Sequence, residues 1–146
     1  MFFEDLSDYQ YDLRAACSGV KNVGWLGEGH AFKQGQVSQS FFEKLKLTIL
    51  RESVNQYRGR HYCELCLAEE IWIESDNKRK CLGSAEVWIP CAKSDLIYAA
   101  PNFVLHYIEV HNYLPPVQFV EAVERFDLSG KWSGCAEWQK IVDELV

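Results

Sequence analysis

No run of eighteen or more apolar residues occurs in this 146-residue chain, so a membrane-spanning helix is not expected. The opening segment, MFFEDLSDYQYDLR, is acidic and aromatic. It lacks the basic stretch and apolar core of a secretory signal, and the expected location is cytoplasmic. Basic residues are scarce: 15 against 21 acidic ones leave a net charge of −6. A phosphate backbone is recognised by displacing counterions with a basic surface, so no nucleic-acid partner is expected. The same acidity keeps a protein soluble and would suit a partner with a basic face. Low-complexity stretches are missing too, as are the GxSxG, P-loop and dinucleotide fingerprints.

What is present fits a globular protein, with 48% hydrophobic, 14% aromatic and 25% charged residues. The length suits one domain over residues 1–146, large enough to bury a core without disulfides. Six cysteines without an export signal are better read as metal ligands or redox groups than as a disulfide framework.

Two ligand pairs stand out: Cys63-x-x-Cys66 and His106-x-x-x-x-His111. A CxxC turn brings two thiolates within a tetrahedral edge of each other, and zinc accepts sulfur and imidazole together. The four residues would make a closed, structural Cys2His2 zinc site that ties off a loop of roughly forty residues. On an ideal helix, residues five apart diverge by about 140° and rise about 7.5 Å. The histidines therefore converge only if His111 lies in a loosened last turn, and Asn112, Tyr113 and the two prolines place it at such an end. Cys81 and Cys91 leave open an all-cysteine site with Cys63 and Cys66, and the absence of any metal is a third possibility. Cys17 and Cys135 read as small buried hydrophobes. His61, beside the knuckle, reads as a hydrogen-bond donor to a ligand.

The elements follow from period and punctuation. Residues 1–37 show no clear periodic element, and the glycine-rich stretch from Asn22 to His30 reads as a loop pinned by Trp25 and Phe32. Ser40 and Glu43 form a capping box for a helix reaching Arg51, with Phe41, Leu45, Thr48 and Ile49 on its apolar face. Residues 71–73, 85–89 and 96–98 read as a small antiparallel meander, with Asp76 to Lys80 as a polar turn. Pro101 then opens a helix over about 101–112 that carries both histidines. Two more helices follow, from Val117 to about Phe126 and from Ser133 to the end, the last with Trp138, Ile141, Val142 and Leu145 as its stripe. The expected class is α+β: a small antiparallel sheet with a zinc knuckle, treble-clef-like or ribbon-like, against three to four helices.

Three segments together resemble a known family: Asn22 to Leu26 (NVGWL), Ala85 to Pro90 (AEVWIP), and Tyr98 to Pro116 with its HYxxxHxYxPP core. That family is an uncharacterised bacterial domain of unknown function, and the resemblance covers about residues 20–125. It implies Cys63, Cys66, His106 and His111 as ligands and brings no settled activity. The functional expectation is a non-enzymatic, zinc-stabilised protein-binding module, an immunity or inhibitor protein neutralising a toxin domain. The alternative is a metal-dependent hydrolase with an open zinc site at His106, His111 and Glu109.

Overall fold

The structure is a computed structural model and describes residues 1–10 and 17–145. Its centre is a pair of antiparallel strands that are apolar apart from Glu86: β5 (Glu86–Pro90, EVWIP) and β6 (Ile97–Pro101, IYAAP). Both are buried along nearly their whole length, as expected of strands covered on both faces. Successive side chains alternate between two hydrophobic clusters. Val87, Ile89, Tyr98 and Ala100 join the first, together with residues of α1 (Gln39–Arg51), α2 (Val104–His111) and α3 (Val117–Arg125). Trp88, Ile97 and Ala99 join the second, against which Trp138 and Ile141 of α4 (Gly134–Glu144) pack.

The class is α+β, as expected, but the sheet is mixed rather than a simple meander. A strand β2 (Cys17–Asn22), flanked by the short β1 (Asp8–Tyr9), pairs in parallel with β6, giving the order β1-β2-β6-β5. The N-terminal region therefore supplies sheet where no periodic element was expected. These strands are short and unevenly buried, so the two-residue period is invisible in them. A second correction concerns residues 71–81. The strand β3 (Trp72–Ser75) pairs with β4 (Lys78–Cys81) in a separate hairpin, and not with residues 85–89. Its turn is only Asp76 and Asn77, both at positive φ, the conformation a tight two-residue hairpin turn demands. The basic run beyond it is strand: Arg79 lies 4.1 Å over the Trp72 ring, and Lys80 donates to the Ile49 carbonyl.

Helix α1 starts two residues earlier than the capping-box reading places it. Ser38, not Ser40, is the cap, its hydroxyl accepting from the Phe41 amide at 3.1 Å, while Glu43 accepts from the Gln39 side chain. The predicted face of Phe41, Leu45, Thr48 and Ile49 is buried. Removing one cap hydrogen bond costs a helix about 1 kcal/mol. Ser38→Ala should lower the stability read by urea denaturation by about that much, and Ser40→Ala should leave it nearly unchanged.

The loop after β2 is held as expected, with Trp25 buried and Phe32 packed against the first cluster. Gly24 is indispensable to it. Its φ is +73°, and a Cβ there would come within 2.7 Å of Val104 Cγ2 on the histidine-bearing helix. Of the remaining tryptophans, Trp88 is core, Trp132 and Trp138 are half-buried, and Trp72 is exposed. No helix among the described residues is long and apolar enough to cross a membrane.

Candidate metal centre

Helix α2 begins at Val104, because Pro101 ends β6 instead of opening the helix. A proline at the last strand position is tolerated, since the ladder needs nothing further from its nitrogen. The far end of α2 decides the site. The Asn112 amide donates to the Tyr107 carbonyl, five residues back, and the Tyr113 amide donates to the same carbonyl at 3.1 Å. Asn112 itself sits in the left-handed region at φ 56°. The last turn is thus wider than an α-turn, and that widening swings His111 toward the side that carries His106. Their ring centroids are 5.1 Å apart.

The N-terminal loop holds this end in place. The Gly35 amide donates to the Asn112 carbonyl, and the Leu114 amide donates to the Lys33 carbonyl. Tyr113, fully buried, donates its hydroxyl to Asp5 at 2.8 Å, and Asp5 also accepts from the Gly24 amide at 2.9 Å. Burial pushes the Asp5 carboxyl above its ordinary value in spite of these two hydrogen bonds. A carboxyl raised in the folded state contributes stability that is complete below the unfolded value of 3.8 and is lost as pH rises through the folded value. Asp5→Asn should therefore flatten the stability profile as pH rises above 3.8, where the parent loses stability from this group. Denaturant titrations at a series of pH values read the difference directly.

The cysteine pair lies in the connection between α1 and β3, on a turn and not on a strand. The Leu67 amide donates to the Cys63 carbonyl and the Cys63 amide to the Ala68 carbonyl, closing a tight loop around the two thiols. Leu67 takes φ 61° to make that closure. The amides of Leu65 and Cys66 face the Cys63 sulfur and favour its thiolate, but burial is the larger effect and pushes the thiol up. Without a cation, then, the knuckle keeps Cys63 protonated; a bound metal would reverse that. Burial also holds His106 and His111 below the ordinary imidazole value, leaving both neutral and able to ligate.

The four residues meet. One ligand atom from each of Cys63, Cys66, His106 and His111 lies within 4.8 Å of the others. Cys63 Sγ is 3.5 Å from His111 Nε2, and Cys66 Sγ is 3.4 Å from His106 Nε2. Tetrahedral zinc, with Zn–S of about 2.3 Å and Zn–N of about 2.05 Å, would set a sulfur–nitrogen edge of about 3.6 Å. The donor set and its spacing therefore fit that ion. Cys63 and His106 are buried, His111 is half-buried and Cys66 is exposed, so the site would reach the surface on one side only.

The other candidates stand elsewhere. Cys81 lies near Arg60 Nη1 at 3.0 Å, and Cys91 follows β5, with its thiol lowered chiefly by a hydrogen bond with Ser94. Neither joins the donor group, and all six cysteines are free thiols. Cys17 and Cys135 are half-buried rather than core. Glu109 is exposed on α2 and lies outside the cluster. His61 packs edge-on against Tyr57, with centroids 5.4 Å apart. On the exposed end of the glycine-rich loop, His30 stacks on Phe2.

Residues 1–124, which include all four donors, match the family described as a domain of unknown function (DUF7919). The chain belongs to that family. The match begins earlier than the segments that carry the resemblance and stops before α4, so the fourth helix lies outside the matched region of this DUF7919 member. No curated protein and no solved structure matches it.

Proposed function

We propose that the domain is a non-enzymatic, zinc-stabilised protein-binding module, of the immunity or inhibitor type that neutralises a toxin domain. The observation that carries the reading is the four-donor set. Four protein ligands fill a tetrahedral zinc ion and leave no position for water, an arrangement suited to architecture and not to hydrolysis. The knuckle closed by that ion presents Tyr62 and Leu67, 51% and 70% exposed, at the surface. Leu67 does so in a left-handed conformation that its own packing does not reward. Exposed aromatic and aliphatic side chains on a rigid turn are the usual anchors of a protein interface. Glu69 and Glu70 next to them, with the net charge of −6, favour a partner with a basic face.

The test is co-expression with a toxin-like domain encoded beside this chain's gene. Restored growth, and a co-purifying complex weakened by Tyr62→Ala with Leu67→Ala, would support the reading. Growth that stays arrested, with no complex formed by a zinc-loaded, folded protein, would overturn it.

A further inference from the structure

Next to the metal centre lies a cavity of about 220 Å³ whose lining alternates with the ligands along the chain. Tyr62 precedes Cys63 there, and Phe103 and Tyr107 flank His106 on α2 and its approach. Trp25, Tyr57, Tyr62 and Phe103 give it aromatic walls, and the Trp25 ring N–H is already committed to the Ala99 carbonyl at 3.0 Å. Two polar side chains in the lining are more than nine-tenths buried, Asn102 at 2% and Tyr107 at 7% exposure. Asn102 Oδ1 accepts from the Gly83 amide at 2.8 Å, and a backbone N–H can only donate, so the other end of the amide is the NH2 group. That Nδ2 and the Tyr107 hydroxyl have no hydrogen-bond partner among the described residues, and neither is sealed away in the core. Both groups open into the cavity, where water can hydrate them, and a ligand that reproduces those hydrogen bonds could replace that water.

The chemistry of that ligand can be narrowed. Glu64 at the cavity edge is already engaged, by the Met1 ammonium and the Glu28 amide; His61 and Tyr62 are exposed at the rim, and the two buried groups of the lining offer one fixed donor and one hydroxyl. Aromatic walls favour a flat ring. The volume is below the roughly 300 Å³ at which pockets for drug-sized molecules begin, which limits the ligand to one ring or a fused pair. We propose that this cavity binds a small planar ring bearing a carbonyl beside an N–H, a lactam or carboxamide. Asn102 Nδ2 donates to the carbonyl and the Tyr107 hydroxyl accepts the N–H. Free nucleobases and pyridine carboxamides share this chemistry. The site makes no use of the metal; it shares Tyr62 with the protein-binding reading but is tested through Asn102 and Tyr107 alone.

Uracil, hypoxanthine and nicotinamide, each titrated into the zinc-loaded protein and followed by ligand-observed NMR, separate the two sources. Indole is the control, since it has the flat ring and the N–H without the carbonyl. At least one of the three should bind about tenfold more tightly than indole, and Tyr107→Phe should weaken it about tenfold with zinc content and melting temperature unchanged. Asn102→Asp keeps the acceptor for Gly83 but turns the donor into a second acceptor, and it should abolish binding. The proposal is overturned if no probe binds at millimolar concentration, if indole binds as well as the others, or if folded Tyr107→Phe protein binds undiminished.

Discussion

Removing the metal, or replacing Cys63 with serine, should unfold or grossly loosen the domain. The residues between the ligand pairs include both strands of the β3–β4 hairpin and both central strands, β5 and β6, so the crosslink would span the structural centre. Structural zinc contributes on the order of 10 kcal/mol to folding. A domain of this size is stable by only about 5–15 kcal/mol, so losing that contribution is comparable to losing the fold. Without the ion, the raised Cys63 thiol stays protonated beside two neutral imidazoles, and the knuckle is left with only its own short hydrogen bonds to hold it. A strong chelator should therefore abolish the cooperative thermal transition or lower its midpoint by tens of degrees, and added zinc should restore it. His106→Ala should behave as Cys63→Ser does. Cys81→Ser and Cys91→Ser should leave both zinc content and melting unchanged, because neither residue belongs to the donor group. Retained stability in both ligand variants would refute the assignment.

Loss of the Glu86 side chain should be the next most damaging change. This carboxyl sits on β5 with 1% exposure and gathers three side chains around it. Tyr9 donates its hydroxyl to both oxygens at 2.9 Å, Trp88 Nε1 donates to one at 2.8 Å, and Asn55 Nδ2 donates to the other at 2.9 Å. Glu86→Ala would strand these donors in the second cluster, and removing one partner from a buried polar network costs about 3–5 kcal/mol. Glu86→Gln keeps the shape but turns one acceptor into a donor facing a donor, and about 1–3 kcal/mol is expected. Urea denaturation followed by tryptophan fluorescence ranks the three proteins. Equal stability of parent and Glu86→Ala would show that the network carries no weight.

Legibility in the sequence followed the strength of each local signal. The donor cluster is readable because cysteine and histidine at short spacings are chemically distinctive, and the apolar face of α1 because its three- and four-residue steps are regular. Even the need for a loosened turn before Asn112 followed from helix geometry alone, although the five-back hydrogen bond that creates it did not. Two sources of error recur. One is competition between adjacent candidates of the same type: Ser38 and Ser40 both suit a cap, and only the chain's entry angle selects the first. The other is non-local pairing. That β2 lies parallel to β6, and that β3 turns back at Asp76–Asn77, depends on partners far along the chain or on a turn two residues long. Pro101 is ambiguous in the sequence, because a proline favoured at a helix start can also be the last residue of a strand, as it is in β6. Glu86 escaped notice because one acidic residue in an apolar strand carries no signal until Tyr9 and Asn55 are seen beside it. Asn102 and Tyr107 escaped for a similar reason, since the cavity they share forms only on folding.

X-ray absorption at the zinc edge, on protein assayed for metal content, reaches the central claim most directly. One zinc per chain, bound by two sulfurs at about 2.3 Å and two nitrogens at about 2.0–2.1 Å, is the predicted result. A chain purified under reducing conditions without zinc, or a zinc shell containing an oxygen ligand in place of one of these four, would contradict a closed structural site.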